Sequence, residues 1–198
     1  GTNKSKENGF VQRIGVATSK DLMSWEKKEG FITQADARWY ERAAQVMEEK
    51  QDGGPNWYEE AWRDPWVFKD AKSNEWVMLI TARTKSGPYD ARGTIGVARS
   101  KDLLNWQVCE PLKVESEFGH FEVPQLMHAR DGELVISFCL ASNNHAAPRL
   151  ARGERAWMGN GIMRSSSFDG VWKVENEPFI EEPHYAARII YDDEKLIA

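Results

Sequence analysis

Cysteine is scarce in this sequence, and so are long apolar runs and any excess of basic charge. The 198 residues include two cysteines, Cys109 and Cys139, which are too few for a disulfide framework. Both lie in apolar stretches, so we expect small buried side chains. No run reaches the ~18 apolar residues of a membrane-spanning helix. A net charge of -5 argues against nucleic acid or an anionic membrane as a partner.

Metal-ligand spacing is also missing from the sequence. None of the four histidines stands at a zinc-type spacing from another histidine or from a cysteine. We therefore expect neither a metal site nor a cofactor. The first ten residues are polar and lack the apolar middle of a signal peptide. Because they also look like the interior of a domain, the localisation, cytoplasmic or secreted, stays open.

The chain does have enough apolar material for a core, and it is rich in tryptophan. Hydrophobic residues make up 41% and charged residues 29%, a balance typical of globular proteins. Nine residues are tryptophan, and aromatic residues reach 11%. Aromatic side chains fill cores and also stack on the apolar faces of sugar rings. The composition therefore indicates a thick core, a carbohydrate-binding surface, or both.

A twelve-residue unit recurs along the chain. Residues 14–25 read IGVATSKDLMSW and residues 95–106 read IGVARSKDLLNW, with nine of the twelve positions identical. A weaker copy, GIMRSSSFDGVW, occupies residues 161–172. Each copy reads as an apolar strand, a turn at Ser-x-Asp or an equivalent, and a strand start at Trp. The tryptophans, which we expect to pack between repeats, are Trp25, Trp106 and Trp172. Such repetition indicates a repeat architecture.

A hairpin pattern accompanies the repeated unit. Residues 64–82, 123–140 and 188–198 each read as an apolar run, a polar turn and a second apolar run. That pattern is typical of a β-hairpin. The hairpin and the repeated strand pair together make a four-stranded antiparallel unit. Radially repeated units of this kind are blades, so the sequence predicts an all-β fold, a β-propeller.

The number of units predicts about three blades of a larger propeller. Full blades are predicted over 64–113 and 121–176, the outer half of a blade over 10–33, a helical and loop excursion over 34–60, and the start of a further blade over 184–198. An open arc of blades would expose sheet edges. We therefore expect residues 1–198 to form one incomplete propeller domain, with the other blades supplied by the same polypeptide.

These units resemble the five-bladed β-propellers of glycoside hydrolase families 32 and 68, and more loosely those of family 43. Residues 62–65, Trp-Arg-Asp-Pro, are similar to the Arg-Asp-Pro motif of these families. Residues 121–124, Phe-Glu-Val-Pro, are similar to their Glu-Cys-Pro or Glu-Val-Pro motif. The motifs come in the family order, one blade apart. The resemblance implies a glycosidase of the β-fructosidase type that acts on an oligosaccharide or a small glycoside.

The family pattern has three acids, and this chain matches two of them. The resemblance makes Glu122 the general acid/base and Asp64 the acid that stabilises the transition state, with Arg63 helping Asp64 to hold ring hydroxyls. The nucleophile, in a sequence like Asn-Asp-Pro-Asn-Gly, has no match, because the single Asp-Pro is Asp64-Pro65. We expect it on an upstream blade.

The residue types favour the same two roles. Glycosidic cleavage needs a proton for the leaving oxygen and a stabilised oxocarbenium-like centre. Apolar neighbours, Phe121 and Val123, favour a protonated Glu122. The guanidinium of Arg63 favours an ionised Asp64, which suits hydrogen bonds to sugar hydroxyls. The alternatives are a salt bridge between blades for Asp64 and a strand-end carboxylate for Glu122.

Further candidates for substrate contact lie near the two motifs. His120 directly precedes the Glu motif, Arg83 ends an apolar strand, and Tyr185 opens the last hairpin. Each of these side chains could reach a central funnel. The alternatives are a plain strand-edge role for His120 and a solvated or stacked side chain for Arg83.

Aromatic residues flank the helical excursion. Trp39 and Tyr40 precede it, and Trp57 and Tyr58 follow it. They suit a subsite for the leaving group, with packing on the edge of a blade as the alternative.

The leading hypothesis is hydrolysis of β-fructofuranosides, such as sucrose or fructans, by a retaining double displacement. An enzymatic alternative is a family 43-like pentofuranosidase or xylosidase, which inverts. A non-enzymatic alternative is a carbohydrate-binding propeller that lacks the nucleophile.

Overall fold

The computed structural model describes residues 1–2, 4–51, 60–192 and 195–197, so Trp57 and Tyr58 lie outside it. The strands are β1 (Arg13–Ile14), β2 (Ala17–Thr18), β3 (Glu26–Lys27), β4 (Thr33–Gln34), β5 (Trp62–Asp70), β6 (Glu75–Arg83), β7 (Gly93–Ser100), β8 (Trp106–Cys109), β9 (Lys113–Glu115), β10 (Glu122–His128), β11 (Leu134–Leu140), β12 (Gly159–Ser165), β13 (Val171–Val174), β14 (Ile180–Glu181), β15 (Ile190–Asp192) and β16 (Lys195–Ile197). The helices are α1 (Lys4–Glu7), α2 (Ala43–Gln51) and α3 (Ala147–Ala151). Within these described ranges, no helix has the length and apolar character needed to cross a membrane.

Strands β5 to β8 form one four-stranded antiparallel sheet in chain order. The turn between β5 and β6 is held by Asp70, whose carboxylate accepts hydrogen bonds from the N–H of Lys72 (3.1 Å) and the hydroxyl of Ser73 (2.6 Å). Such side-chain to backbone bonds make Asp and Ser favourable in turns. The sheet spans residues 62–109, where the sequence predicts a blade over 64–113.

Strands β10 to β13 form a second antiparallel array, and two more strands join it. Strand β14 pairs with β12, and β9 pairs with β13 in parallel. Two short edge strands, of which β9 is parallel, are therefore added to the predicted four-stranded antiparallel unit. The physical reason is that the link between the two sheets runs alongside the outer strand of the second sheet and hydrogen-bonds to it. This pairing covers an edge that would otherwise be open.

Short hairpins lie at both ends of the chain. Residues 13–34 form a hairpin in two sections, β1 with β4 and β2 with β3, and α2 follows. At the other end β15 pairs antiparallel with β16. The hairpins and the two sheets follow one another along the chain.

One core lies between the two sheets, and another lies between the first hairpin and the first sheet. Side chains alternate across a strand, so neighbouring residues of β6 enter different cores. Leu79 packs with Phe121 and Phe138 of the second sheet, whereas Ile80 packs with Ile14 of the first hairpin. Full burial of such a side chain contributes roughly 1.5–3 kcal/mol. Sheet-to-sheet packing therefore fixes the first strands of the two sheets relative to each other.

The first strands of both sheets begin with the same irregularity. The register of β5 shifts directly after Arg63, and Asp64 has a φ of 55°. The register of β10 shifts directly after Glu122, and Val123 has a φ of 51°. Bulges of this kind re-aim side chains at a strand end. Arg63 and Glu122 therefore occupy equivalent positions in the two strands, and so do Asp64 and Val123.

A positive φ also occurs just before β15. Ala186 has a φ of 57°, close to the values of Asp64 and Val123. Tyr185 thus directly precedes a residue of positive φ, as Arg63 and Glu122 do.

The repeated Ser-x-Asp element forms the same turn twice. The Ser100 hydroxyl accepts the N–H of Leu103 (2.9 Å), and the Asp102 carboxylate accepts the N–H of Leu104 (2.9 Å). In the first hairpin, Ser19 and Asp21 make the corresponding bonds. The sequence repeat therefore encodes a hydrogen-bonded turn rather than a binding motif.

The three repeated tryptophans differ in burial. Trp172 is fully buried and lies in the core between the two sheets, and Trp106 packs against the core on the other face of the first sheet. Trp25 is 59% exposed. The expectation of packing between repeats thus fits Trp172 and Trp106 but is wrong for Trp25 among the described residues, because no described sheet covers that side of the first hairpin.

Candidate active site

Arg63 joins the two candidate acids. Its Nη2 donates to Oε1 of Glu122 (2.5 Å), and its Nε lies 3.7 Å from Oδ2 of Asp64. The side chains of Arg63, Asp64 and Glu122 keep 22%, 28% and 20% of their surface exposed. The bulges at the starts of β5 and β10 therefore bring both acids to one partly open site on neighbouring sheets.

Asp64 is held by groups from both sheets. Its Oδ2 accepts hydrogen bonds from the Thr81 hydroxyl (2.9 Å) and from the backbone N–H of Val123 (3.2 Å). Thr81 lies on β6 beside Asp64, and Val123 directly follows Glu122. Both bonds go to Oδ2, and since no hydrogen bond to Oδ1 is found among the described residues, Oδ1 can accept from a ligand hydroxyl.

Glu122 is contacted at both oxygens. Arg63 donates to Oε1, and the hydroxyl of Tyr185 donates to Oε2. Tyr185 is 44% exposed, so this side of the carboxyl group faces the open part of the site. Sequence reasoning placed the guanidinium on Asp64 and apolar groups around Glu122. The structure corrects this assignment: the alignment of Arg63 with Glu122 makes Glu122 the closer partner of the guanidinium.

His120 lies behind the acids. It is 3% exposed, and its Nδ1 is 3.1 Å from Nη2 of Arg63. Burial, followed by the charges of Arg83 and Arg63, holds the pKa of His120 well below its ordinary value. The ring is therefore neutral at physiological pH. Direct contact with a sugar, as the sequence suggested, is wrong for a side chain so deeply buried.

Arg83 is also buried and does not face a funnel. It is 0% exposed and donates to Glu41 (2.5 Å) and to the carbonyl oxygens of Gly119 and Tyr89 (both 2.5 Å). The predicted substrate contact is corrected to a structural ion pair, and the alternative of a solvated arginine is wrong as well. The guanidinium, having lost its hydration, is paired inside the protein.

Tyr40 and Trp39 lie apart from the acids. Tyr40 is 1% exposed, contacts the ring of Trp62 edge-on and donates its hydroxyl to the carbonyl of Cys109 (2.7 Å), so the predicted substrate contact is corrected to core packing. Trp39 is half-buried under the guanidinium of Arg38, at 4.1 Å from the ring centroid. It lines a separate cleft of about 450 Å³, to which neither acid contributes.

Three residues of this region were missed by sequence reasoning. Gln12 accepts from the N–H of Trp62 (3.1 Å) and lies 3.4 Å from Nη1 of Arg63, while Thr81 holds Asp64. Glu41 is 1% exposed and pairs with Arg83 and Arg92. The one available signal was a polar residue inside an apolar stretch, as in FVQRIG and VMLITAR.

Metal binding has no support in the parts of the chain that the structure covers. No group of three or more His, Cys, Asp or Glu side chains there could hold a metal ion. Cys139 pairs with Glu122 across β10 and β11, but its thiol is buried, and burial raises its pKa to about 11. Carboxyl, guanidinium and phenol groups are therefore the chemistry of this site.

Comparison with protein families defines the class. Residues 33–195 match the model described as the glycosyl hydrolases family 32 N-terminal domain. The sheets and the family match together define part of a β-propeller of the glycoside hydrolase class. The chain belongs to glycosyl hydrolase family 32, through its N-terminal domain, and the resemblance predicted from the two motifs is confirmed.

Solved structures confirm the all-β propeller fold. An inulosucrase from Halalkalicoccus jeotgali bound to kestose is 21% identical with a TM-score of 0.58, over 82% of this chain and 40% of that one. A levansucrase mutant from B. megaterium is 13% identical with a TM-score of 0.58, over 86% and 47%. A full-length beta-fructofuranosidase from Microbacterium saccharophilum K-1 is 17% identical with a TM-score of 0.55, over 81% and 34%.

These matches cover most of this chain but a smaller share of each related structure. The chain spans less than half the length of each of these three structures. Among curated protein sequences, none is significantly similar to the chain.

Proposed function

We propose that this chain supplies part of the active site of a retaining glycosidase that cleaves β-fructofuranosidic bonds in sucrose or fructan-type substrates. Membership of family 32 supports the reaction class. The inulosucrase in the comparison is bound to kestose, which supports a fructose-containing substrate. Double displacement and the individual roles are our proposal.

The observation that carries the proposal is the guanidinium of Arg63 between Asp64 and Glu122. A glycosidase needs carboxyl groups that converge on one sugar ring from different elements. Here the acids come from neighbouring sheets, and one cation fixes both. Both acids are partly exposed, so a substrate can reach them.

Each residue then has a definite task. Glu122 protonates the leaving oxygen from Oε2, on the open side, where the leaving oxygen takes the place of the Tyr185 hydroxyl, and later takes a proton from water. Asp64 accepts hydrogen bonds from ring hydroxyls through Oδ1, and these bonds strengthen as positive charge develops on the sugar. Tyr185 contacts Glu122 and borders the open side, where it can also meet the substrate.

The nucleophile of the reaction has no sequence match in residues 1–198. We propose that a further blade of the same polypeptide supplies it, with its carboxyl group ~5 Å from that of Glu122, as retention requires. The extent of the structural matches, under half of each related chain, is consistent with this proposal.

The test is Glu122→Gln in the protein as its gene encodes it. We expect hydrolysis of sucrose or levan to fall by at least about 100-fold, the scale of a lost general acid/base. An aryl fructofuranoside, whose leaving group needs no proton, should keep forming the covalent intermediate. Added azide, which attacks without a general base, should restore turnover of that substrate.

The matched control is Glu133→Gln, a half-buried glutamate just before β11 that lies 3.7 Å from Arg164, and this variant should leave turnover unchanged. Unchanged hydrolysis by Glu122→Gln would remove this residue from the acid/base role. An inverted product would favour the family 43-like alternative, and a wild-type protein that binds fructosides without turnover would favour a carbohydrate-binding propeller.

A further inference from the structure

His120 occupies a place from which it acts on Arg63 but not on substrate. The imidazole is 3% exposed, and its Nδ1 lies 3.1 Å from Nη2 of Arg63. The same Nη2 donates to Oε1 of Glu122. One nitrogen of the guanidinium is therefore shared between a buried histidine and a candidate catalytic carboxylate.

The direction of the bond to His120 follows from chemistry. A guanidinium has only donors and is not deprotonated in proteins, so Nδ1 of His120 must be the acceptor. A neutral ring that accepts at Nδ1 carries its proton on Nε2. Burial and the Arg83 and Arg63 charges hold the pKa of His120 well below its usual range, which agrees with this tautomer.

The backbone at His120 is itself held firmly. Gly119 donates its N–H to the carbonyl of Asn144 (2.7 Å) and accepts a hydrogen bond from Arg83 (2.5 Å). Gly93 lies so close that a Cβ there would be 2.9 Å from the backbone nitrogen of His120. The ring is thus mounted on a segment with little freedom to move.

We propose that His120 is a positioning residue: its Nδ1 orients the Arg63 guanidinium so that one fork holds both Asp64 and Glu122. The role rests on the proposed function of the two acids. Arginine has a long side chain with many rotamers, and the fork matches two carboxylates only in one orientation. Partners on three sides, Gln12, His120 and the acids, select that orientation.

The kinetic test compares two substitutions in the protein as its gene encodes it. His120→Asn keeps an acceptor near the Nδ1 position, and His120→Leu keeps the volume without an acceptor. We expect kcat/KM to fall by about 100-fold for the Leu variant, the scale of a misplaced catalytic group, and to recover largely in the Asn variant. Equal losses in both variants, or wild-type kcat/KM in the Leu variant, would overturn the proposal.

The matched control is His145→Leu. His145 is also buried, at 5% exposed, and its Nε2 lies 2.8 Å from the carbonyl oxygen of Trp157, away from the acids. We expect a loss of stability without a change in kcat/KM per folded molecule. A catalytic loss as large as that of His120→Leu would show that any buried histidine has this effect, and would contradict positioning through Arg63.

A spectroscopic readout keeps this inference separate from the proposed function. The ring ¹⁵N resonances of His120 should show the Nε2–H tautomer and no titration from about pH 5 to 8, a range that includes the usual histidine pKa. A proton on Nδ1, or titration near pH 6.5, would overturn the inference even in an active enzyme. If the expected tautomer is found in a protein inactive on fructosides, the proposed function fails while the Arg63–His120 arrangement stands.

Discussion

At the scale of single residues, the site depends on charges that are paired before any substrate arrives. Arg63 contacts Asp64 and Glu122, and the buried Arg83 contacts Glu41 behind them. The first cation is partly exposed, so a bound sugar can reach it while it keeps both carboxylates. The second is fully buried, so its partners cannot be replaced by water.

Replacement of Arg83 by Met should destabilise the fold. The change removes one buried cation from Glu41 and leaves the carbonyls of Gly119 and Tyr89 without this donor. We expect the free energy of unfolding to fall by about 3 kcal/mol, the lower end for a broken buried pair, because Arg92 still pairs with Glu41. Urea denaturation measures this change.

The comparison for this substitution is Arg155→Met. Arg155 is exposed and pairs with Glu177 and Glu181 at the surface, so its loss should change the free energy of unfolding by no more than about 0.5 kcal/mol. Equal effects of the two substitutions would mean that the buried cluster contributes no special stability.

At the scale of elements, hydrogen bonds within a turn could be predicted from the sequence, whereas contacts between residues distant in sequence could not. The hairpin of β5 and β6 follows from Asp70 and its turn, because side-chain to backbone bonds span only a few residues. The contact between Arg63 and Glu122 joins residues 59 apart and depends on how two bulges align. No pattern within either motif specifies that alignment.

The repeated turn should contribute an acid-sensitive part of the stability. Hydrogen bonds from the backbone and side chain of Asn105, and from the N–H of Leu104, hold the pKa of Asp102 well below its usual range. A depressed pKa adds stability above the unfolded value of about 4 and loses it as pH falls through the folded value. Asp21, in the first copy of the turn, has a pKa of about 2 for the same reason.

Replacement of Asp102 by Asn tests this dependence. We expect the variant to be less stable than the wild type from pH 5 to 7, with a gap that narrows as the pH falls below about 4. Chemical denaturation across this range gives the gap, and Asp169→Asn, at an exposed position, serves as the control. A gap independent of pH would show that the charge of Asp102 does not matter.

At the scale of the whole molecule, the repeats and motifs of the sequence indicate the fold class and the family. The propeller class, the family and the position of both acids on successive units follow from repeats and two motifs. The burial of Arg83 and Tyr40 could not be read from the sequence, because it depends on the segment around Glu41 folding over the first sheet. Strand-end residues look alike in sequence whether they face a funnel or a neighbouring layer.

Residues 1–198 expressed alone should not hydrolyse fructosides. The stretch has no match to the nucleophile motif, and a double displacement needs a carboxylate that attacks the sugar in addition to the acid/base Glu122 and the stabilising Asp64. The measurement is release of fructose from sucrose and levan by the purified stretch. Turnover by this stretch would contradict the assignment of the nucleophile to another blade.

The central claim is that Asp64 and Glu122 act on the same sugar. A crystal structure of the protein as its gene encodes it, with Glu122→Gln and a bound fructofuranoside, tests this most directly. The account predicts that Asp64 accepts hydrogen bonds from ring hydroxyls while residue 122 lies within hydrogen-bonding distance of the glycosidic oxygen. A fructoside bound elsewhere, with neither residue in contact, would contradict it.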